Sequence, residues 1–138
     1  MVSLMSTWIY IENLPITDEF RRQKRLIQPR GELALIEDGE SFEHLGYFSL
    51  LAGQGYRGGH YHQRKTERFY VISGRLRIEL CQVAGGERDT VEVQAGTKVA
   101  IPPGIAHRFE ALEDAQVIEY YAGTFDPDDD YPFTFTDG

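Results

Sequence analysis

Three histidines and one glutamate stand at spacings that allow them to bind a single metal ion. His60 and His62 are two residues apart, Glu67 follows after a short polar run, and His107 comes far downstream, directly after a Pro-Gly turn. Side chains two apart on an extended strand point to the same face, so both imidazoles of His60 and His62 can reach one ion. Glu67 opens the next predicted strand. We therefore predict one divalent transition metal, which could be Zn, Fe, Mn, Ni or Cu because ligand type alone does not select among them.

These residues carry a resemblance to the cupin superfamily. Its first motif is His-x-His, three or four residues, Glu, six residues and Gly, and its second is Gly, five residues, Pro, any residue, Gly, two residues and His. The matching positions are His60, His62, Glu67 and Gly74 for the first motif and Gly96, Pro102, Gly104 and His107 for the second. The first motif's leading glycine is displaced by one residue here, and Ala111 stands in place of the second motif's closing Asn. Since that Asn is not a ligand, the resemblance still implies the metal.

Within the superfamily, residues 56–74 are similar to small cupins that handle sugars and nucleotide-sugars. The nearest likeness is the cupin domain of capsule-synthesis sugar-nucleotide epimerases, which begins with Arg-Gly-x-His-x-His and continues with Lys-x-Glu-x-Phe. Sugar ketoisomerases share the Arg-Gly and His-x-His start. The resemblance implies an enzyme on a small carbohydrate-like or carboxylated substrate, and it implies a homodimer.

Three functions fit a metal with open coordination positions. As a Lewis acid, the ion can stabilise the enolate formed when an epimerase or isomerase removes a proton next to a keto group. With iron, the same ligands could serve a dioxygenase. The third alternative is a non-catalytic module that binds a sugar or a metal.

An epimerase or isomerase also needs a base. The candidates are His107, Tyr47, Tyr121 and Glu119, and a water molecule on the metal is a further alternative.

Strand alternation and position predict the substrate-binding residues. If Glu67 points inward, Phe69 and Val71 do so too, and His107 is accompanied by Phe109 and Ala111. Gln54, Tyr56 and Arg57 precede the ligands and are predicted at the rim of the cavity, where the planar fork of an arginine can bind an oxyanion. Tyr61, between the two ligands, should point the other way and pack.

Composition and charge narrow the class of partner. The chain has 138 residues and a formal net charge of -8, without a Lys/Arg stripe, which argues against a nucleic-acid surface. No signal peptide pattern and no run of 18 apolar residues is present, so we expect a cytoplasmic protein with a small-molecule substrate and no membrane partner. The single cysteine, Cys81, is expected in the core, and His44 is the one histidine outside the motifs.

The remaining sequence predicts a single all-β domain, the jelly-roll double-stranded β-helix barrel of cupins. Short strands punctuated by turns recur from Gly31 onward, giving a core of about 31–122, an N-terminal arm over 1–30 and an acidic, aromatic tail over 123–138. We predict a hairpin at Gly74, separate strands over 106–112 and 116–121, and a short helix over 17–26. Asp128 to Asp130 are expected in a solvated turn, and the tail aromatics are expected to dock on the barrel or on a partner subunit.

Overall fold

Antiparallel β-strands make up nearly the whole structure. The computed structural model describes residues 8–19 and 24–136, and the statements below concern these residues. The strands are β1 (Tyr10–Asn13), β2 (Lys24–Gln28), β3 (Gly31–Leu35), β4 (His44–Leu50), β5 (Tyr56–Tyr61), β6 (Glu67–Gln82), β7 (Arg88–Gln94), β8 (Thr97–Ile101), β9 (Ile105–Tyr121) and β10 (Tyr131–Pro132). A 3-10 turn covers Pro127–Asp129. The prediction of an all-β jelly-roll barrel is confirmed.

Two long strands hold the barrel together. The larger sheet runs in the order β1-β8-β6-β9-β5-β10, with β4 added to β9 and β7 added to β6, and a second sheet consists of β2 and β3. Strands β6 and β9 have 16 and 17 residues and pair with each other along most of their length. Among the described residues, no helix has the length and apolar character needed to span a bilayer.

The predicted hairpin at Gly74 is wrong, because β6 continues through this residue. Gly74 has a φ of 87°, and a Cβ atom there would overlap the carbonyl of Asp114 on β9. The register between the two strands shifts around Ser73 and Arg75, so the glycine marks a bend in a paired strand. The two strands predicted over 106–112 and 116–121 are likewise one bent strand, β9.

The short helix predicted over 17–26 is also wrong where the structure describes it. Lys24 to Leu26 belong to β2, which pairs with β3, and residues 20–23 lie outside the described part of the chain. Lys24 and Leu26 are buried on one side, which is the alternation of a strand. Within the predicted N-terminal arm, β1 (Tyr10–Asn13) pairs with β8.

The core fills the barrel as strand alternation predicts. Phe69, Val71, Phe109 and Ala111 are buried within a large apolar cluster. Cys81 is buried beside Ala106 in a smaller cluster, which confirms its expected place. That cluster also takes up Phe135 of the tail.

The aromatic tail docks on the barrel. Strand β10 pairs with β5, and the Tyr131 ring stacks on Tyr61 with centroids 5.2 Å apart. The Phe133 ring meets the same tyrosine edge-on. Tyr61 therefore packs outward, away from the two histidines that flank it, as predicted.

Candidate metal centre

The four predicted ligands converge at one point inside the barrel. Nε2 of His62 and Nε2 of His107 each lie 2.9 Å from Oε1 of Glu67, and Nε2 of His60 lies 3.8 Å from it. One ligand atom from each of the four residues lies within 4.8 Å of all the others. His62, Glu67 and His107 are buried, and the His60 side chain keeps 31% exposure, so the cluster opens to one side.

A bulge in β5 brings Arg57 and His60 to the same side of the strand. The pairing of β5 with β9 changes register between Gly58 and His60, and Gly58 and Gly59 have φ values of 95° and 82°. A Cβ atom on Gly58 would lie 2.8 Å from the carbonyl oxygen of His107. The Gly-Gly pair thus gives the strand its extra residue and lets its backbone approach β9 closely.

The other ligands are placed by strand pairing. His60 pairs with His107 across β5 and β9, and Glu67 begins β6 opposite Ile101. His107 also pairs with Leu80 further along β6. Because these contacts belong to antiparallel ladders, the ligands sit on rigid backbone.

Asp129 fastens the loop that follows His62. Its side chain accepts hydrogen bonds from the backbone N–H groups of Gln63, Arg64 and Lys65 at 2.8, 3.2 and 3.2 Å. Its own carbonyl accepts from Nδ1 of His62 at 2.6 Å. Asp129 is only 3% exposed, so the prediction of a solvated turn over Asp128 to Asp130 is wrong at this residue.

Each histidine of the cluster turns its other ring nitrogen toward an oxygen. Nδ1 of His107 lies 3.0 Å from the carbonyl of Ile105, and Nδ1 of His60 lies 3.4 Å from a carboxylate oxygen of Asp130. With the Nδ1 contact of His62, all three rings can donate from Nδ1. Their Nε2 lone pairs then face the centre, which is the arrangement of metal-bound imidazoles.

Charge inside the cluster is unevenly matched. Burial alone would raise the pKa of Glu67, but hydrogen bonds from His107, His60 and His62 hold it well below its ordinary range. Burial would lower the pKa of His62, and its bonds to Glu67 and to the Asp129 carbonyl reverse this and raise it. Lys65 Nζ is 4.0 Å from Glu67. The carboxylate is therefore ionised and favours positive charge at the centre.

A divalent transition metal fits this donor set. Imidazole nitrogens and a carboxylate oxygen suit such ions, and two atoms that bind the same ion at about 2.1 Å lie about 3 Å from each other. The 2.9 Å separations of His62 and His107 from Glu67 match this spacing. Without a cation, both histidines would have to donate from both nitrogens as imidazolium ions, whereas with a metal they stay neutral.

The cluster forms the floor of a cavity of about 220 Å³. Its described lining consists of Phe48, Arg57, Gly58, His60, His62, Lys65, Glu67, Phe69, Phe109, Glu119, Tyr121, Phe125 and Asp130. The predicted residues Arg57, Phe69, Phe109, Glu119 and Tyr121 are thus brought together beside the four ligands. Nε of Arg57 donates to the carbonyl of Ser49 at 2.9 Å, which fixes the guanidinium at the rim.

Three predicted site residues do not reach this cavity. Tyr47 lies on the outer face of β4, 56% exposed, where its hydroxyl accepts a hydrogen bond from Gln116. The inward position belongs to its neighbour Phe48. Tyr56 packs its ring against the guanidinium of Arg108 at 3.8 Å, and Gln54 lies exposed in the turn before β5. Alternation and the bulge at Gly58 account for the exclusion of Tyr47 and Tyr56.

Sequence reasoning missed His44 and Lys65. His44 Nε2 lies 2.9 Å from Oε2 of Glu119, and its ring stacks on Tyr121 with centroids 4.1 Å apart and planes within 7°. Lys65 Nζ lies 3.9 Å from the centre of the same Tyr121 ring. No motif identifies His44, but its β-ladder position opposite Tyr121 could have been found had the register been known.

The fold is the jelly-roll barrel of cupins, and it brings three histidines and one glutamate together in one cluster. A model of the polysaccharide biosynthesis C-terminal domain family matches residues 29–131, more than half of the chain, and the chain belongs to this family. No curated protein sequence matches it significantly.

Several solved structures share the fold. The chain is similar to dTDP-4-dehydrorhamnose 3,5-epimerase from Sulfolobus tokodaii, with a TM-score of 0.75 and 19% identity over 98% of this chain and 82% of that one. A variant of the 3,4-ketoisomerase QdtA from Thermoanaerobacterium thermosaccharolyticum, in complex with TDP-4-keto-6-deoxyglucose, has a TM-score of 0.73 and 15% identity over 91% and 88%. The capsular polysaccharide assembling protein CapF from Staphylococcus aureus is 30% identical, with a TM-score of 0.59 over 66% of this chain and 26% of that one.

Proposed function

We propose that this protein is a metal-dependent epimerase or isomerase that acts on a keto-sugar carried by a nucleotide. The observation that carries the proposal is the convergence of three imidazole Nε2 atoms and Oε1 of Glu67 on the floor of a cavity inside the barrel. The similarity to structures of sugar-nucleotide epimerases and ketoisomerases supports the same class of substrate.

The ligands would be His60, His62, Glu67 and His107. When bound, the metal would supply positive charge next to the substrate's carbonyl oxygen, which favours removal of a proton from the adjacent carbon. Binding of a metal for this purpose would account for a glutamate and three imidazoles that share one buried centre.

The size and lining of the cavity favour one small unit of the substrate. About 220 Å³ is less than the roughly 300–1,000 Å³ of sites for drug-sized ligands, so a single sugar ring would enter and the nucleotide would stay outside. Phe69 and Phe109 contribute apolar surface for the C–H faces of the ring, and burial there excludes water.

Arg57 is placed to hold the charged part of the substrate. It lies at the rim, its Nε is fixed by the Ser49 carbonyl, and its guanidinium packs over Phe48 at 5.7 Å. A planar guanidinium binds phosphate oxygens well. With the sugar ring inside the cavity, the diphosphate attached to it would extend past the rim and lie next to Arg57.

Deuterium exchange tests the proposal. The protein, its metal content measured by elemental analysis, is incubated in D2O with TDP-4-keto-6-deoxyglucose and with other nucleoside-diphosphate 4-keto-sugars, and proton NMR follows the sugar. We expect exchange at a carbon next to the keto group, and its loss in a His60→Ala/His62→Ala variant that no longer retains metal. The matched control is Gln63→Ala, an exposed neighbour that should exchange as the wild type does.

The other predicted functions give different results in the same preparation. A dioxygenase would consume oxygen only when loaded with iron and in the presence of substrate. A binding module would take up the sugar nucleotide without exchange or turnover. Absence of exchange with every keto-sugar, from a protein that holds its metal, would contradict the proposed function.

A further inference from the structure

We propose that Glu119 is the group that removes and returns the substrate's proton, and that His44 is the residue that positions it. This rests on the proposed function, since it names the base of that reaction.

Glu119 faces the cavity from a strand that also carries part of the metal cluster. It lies on β9, as do Tyr121 and His107, and all three contribute to the site. Its Oε2 is engaged by Nε2 of His44 at 2.9 Å. One carboxylate oxygen is thus held by the imidazole N–H, which leaves Oε1 to reach the substrate.

Several contacts fix His44 behind Glu119. His44 pairs with Tyr121 in the ladder between β4 and β9, and the Glu43 N–H donates to the Tyr121 carbonyl at 3.2 Å. The His44 ring lies parallel to the Tyr121 ring at 4.1 Å. A ring held by both stacking and strand pairing cannot turn away, so its N–H stays directed at Glu119.

Gly46 leaves the space that this pair occupies. It pairs with Glu119 in the same ladder, and a Cβ atom on it would lie 3.0 Å from Cγ of Glu119 and 3.2 Å from Nε2 of His44. Its φ lies outside the left-handed region, so the backbone does not require glycine there. The absence of a side chain at residue 46 therefore leaves room for Glu119 across the ladder and for His44 two residues earlier on the same strand.

The other acids of the cavity belong to the candidate metal cluster or contact one of its histidines. Of the three carboxylates in its described lining, Glu67 belongs to the metal cluster and Asp130 lies 3.4 Å from Nδ1 of His60. The imidazoles of His60, His62 and His107 point their Nε2 atoms at Glu67. Glu119 also contacts a histidine, but His44 is not one of the four candidate ligands, so Glu119 is the carboxylate of this lining that is not tied to the cluster.

The proton transfer balances without any further reactant. Oε1 of Glu119 forms an O–H bond as the C–H bond beside the keto group breaks, and the C–H electron pair becomes the carbon–carbon double bond of the enolate. The negative charge moves from Glu119 to the sugar's carbonyl oxygen. Return of the proton to carbon restores both the ketone and the carboxylate.

The test uses the deuterium-exchange assay with TDP-4-keto-6-deoxyglucose or whichever keto-sugar nucleotide the wild type exchanges. Glu119→Gln should lower the exchange rate about 100-fold or more at saturating substrate, the scale of a lost general base, and should keep the wild-type metal content and KM within a few fold. The matched control is Glu110→Gln, also on β9 but bonded to Arg77 on the outside. It should exchange as the wild type does.

Three further variants separate positioning from catalysis. His44→Ala should slow exchange about 10-fold, and His44→Gln, whose amide still donates to Glu119, should recover part of that loss. Gly46→Ala removes no titratable group and should keep the wild-type metal content. It should still slow exchange, because the new methyl group displaces the Glu119 side chain. A purely structural role for His44 would lower thermal stability equally in both His44 variants and leave the exchange rate of the folded protein unchanged.

The outcomes distinguish this proposal from the function it rests on. Wild-type exchange together with undiminished exchange in Glu119→Gln would overturn Glu119 as the base and leave the proposed function standing. Lost metal in Glu119→Gln would also overturn it, since the residue would then support the metal cluster. If the wild type exchanges no keto-sugar at all, the proposed function fails and this assignment fails with it.

Discussion

Glu37 and Glu67 are two carboxylates with largely buried side chains, and of these two only the Glu37 cluster is complete in itself, with a lysine Nζ in hydrogen-bond contact. Glu37, in the loop between β3 and β4, meets Lys98 Nζ at 3.1 Å and the Tyr120 hydroxyl at 3.1 Å. The side chains of Glu37 and Lys98 are 10% and 9% exposed, so a permanent cation matches a permanent anion. Glu67 is similarly buried but is surrounded by imidazoles, which carry no permanent charge.

The difference shows what each cluster needs. A buried carboxylate is costly unless its charge is matched, and Lys98 does this for Glu37 in a fixed way. For Glu67 the nearest lysine, Lys65, is 4.0 Å away and the groups in hydrogen-bond contact are imidazoles, so the closer matching charge has to come from protons on the histidines or from a metal. The first cluster is therefore expected to contribute near neutral pH whether or not a metal is supplied, and the second to respond to metal supply.

Metal removal should give the largest effect. If the metal is present at about 1,000 times its Kd, its loss costs about 4 kcal/mol of unfolding free energy. We expect a chelator to lower the thermal unfolding midpoint of the wild type and to have no effect on the His60→Ala/His62→Ala variant. Differential scanning calorimetry with and without chelator measures this. Glu37→Gln, the control in the complete cluster, should respond to chelator as the wild type does, and an equal midpoint with and without chelator in the wild type would contradict the comparison.

Breaking the complete cluster should come next. Lys98→Met leaves Glu37 with the Tyr120 hydroxyl and the more distant charge of Arg68. We expect a loss of about 2 to 3 kcal/mol, below the roughly 3–5 kcal/mol of fully enclosed pairs because an open cavity adjoins Glu37. Urea unfolding measures it. The double variant Lys98→Met/Glu37→Gln should recover part of the loss, and metal content should stay at the wild-type value. A double variant no more stable than the single one would show that packing, and not the unmatched charge, causes the loss.

Asp129→Asn tests the support of the incomplete cluster and should have a smaller effect. An amide has one acceptor oxygen in place of two, so part of the bonding to the backbone of Gln63, Arg64 and Lys65 is lost. We expect about 1 to 2 kcal/mol of lost stability and a roughly tenfold weaker metal affinity, measured by urea unfolding and by competition with a chelator. Asp128→Asn, which alters an exposed neighbour, is the control. Unchanged metal affinity in Asp129→Asn would mean that the loop does not orient His62.

The convergence of His60, His62, Glu67 and His107 could be predicted from the sequence because the information for it is local. His60 and His62 are close together on one strand, and Glu67 begins the next strand. The turn before His107 is indicated by the Pro-Gly pair that forms it. Strand alternation also predicted the inward positions of Phe69 and Phe109. The fold class followed from the same features, since closely spaced strands without a long amphipathic helix leave few architectures.

The surroundings of the ligands were not readable, because they depend on the register between distant strands. His44 meets Glu119 across 75 positions of sequence, and Asp129 meets His62 across 67. The bend at Gly74 decides how β6 faces β9, and a glycine in an alternating run looks the same whether it ends a strand or bends it. The prediction that Tyr47 lies in the site was wrong for a related reason. Which alternate residues of β4 face the cavity is determined only by the pairing of β4 with β9.

The smallest effect should appear in the pH dependence of the complete cluster. Burial would raise the pKa of Glu37, but the hydrogen bond and charge of Lys98 and the hydrogen bond from Tyr120 outweigh it, so this pKa is lowered. A carboxyl whose folded pKa lies below its unfolded value of about 4.3 adds stability above that pH and loses it as the pH falls through the folded value. We therefore expect wild type to exceed Glu37→Gln in unfolding free energy at pH 6 to 7, and the gap to shrink below about pH 4.3.

Urea unfolding of both proteins at each pH measures this gap. With chelator present throughout, the residues of the metal cluster titrate in the same way in both proteins, so their contribution cancels in the difference between the two free energies. A gap that stays constant down to pH 3 would mean that the ionised Glu37 adds nothing, and the contrast between a cluster complete in itself and one that needs a metal would then rest on Glu67 alone.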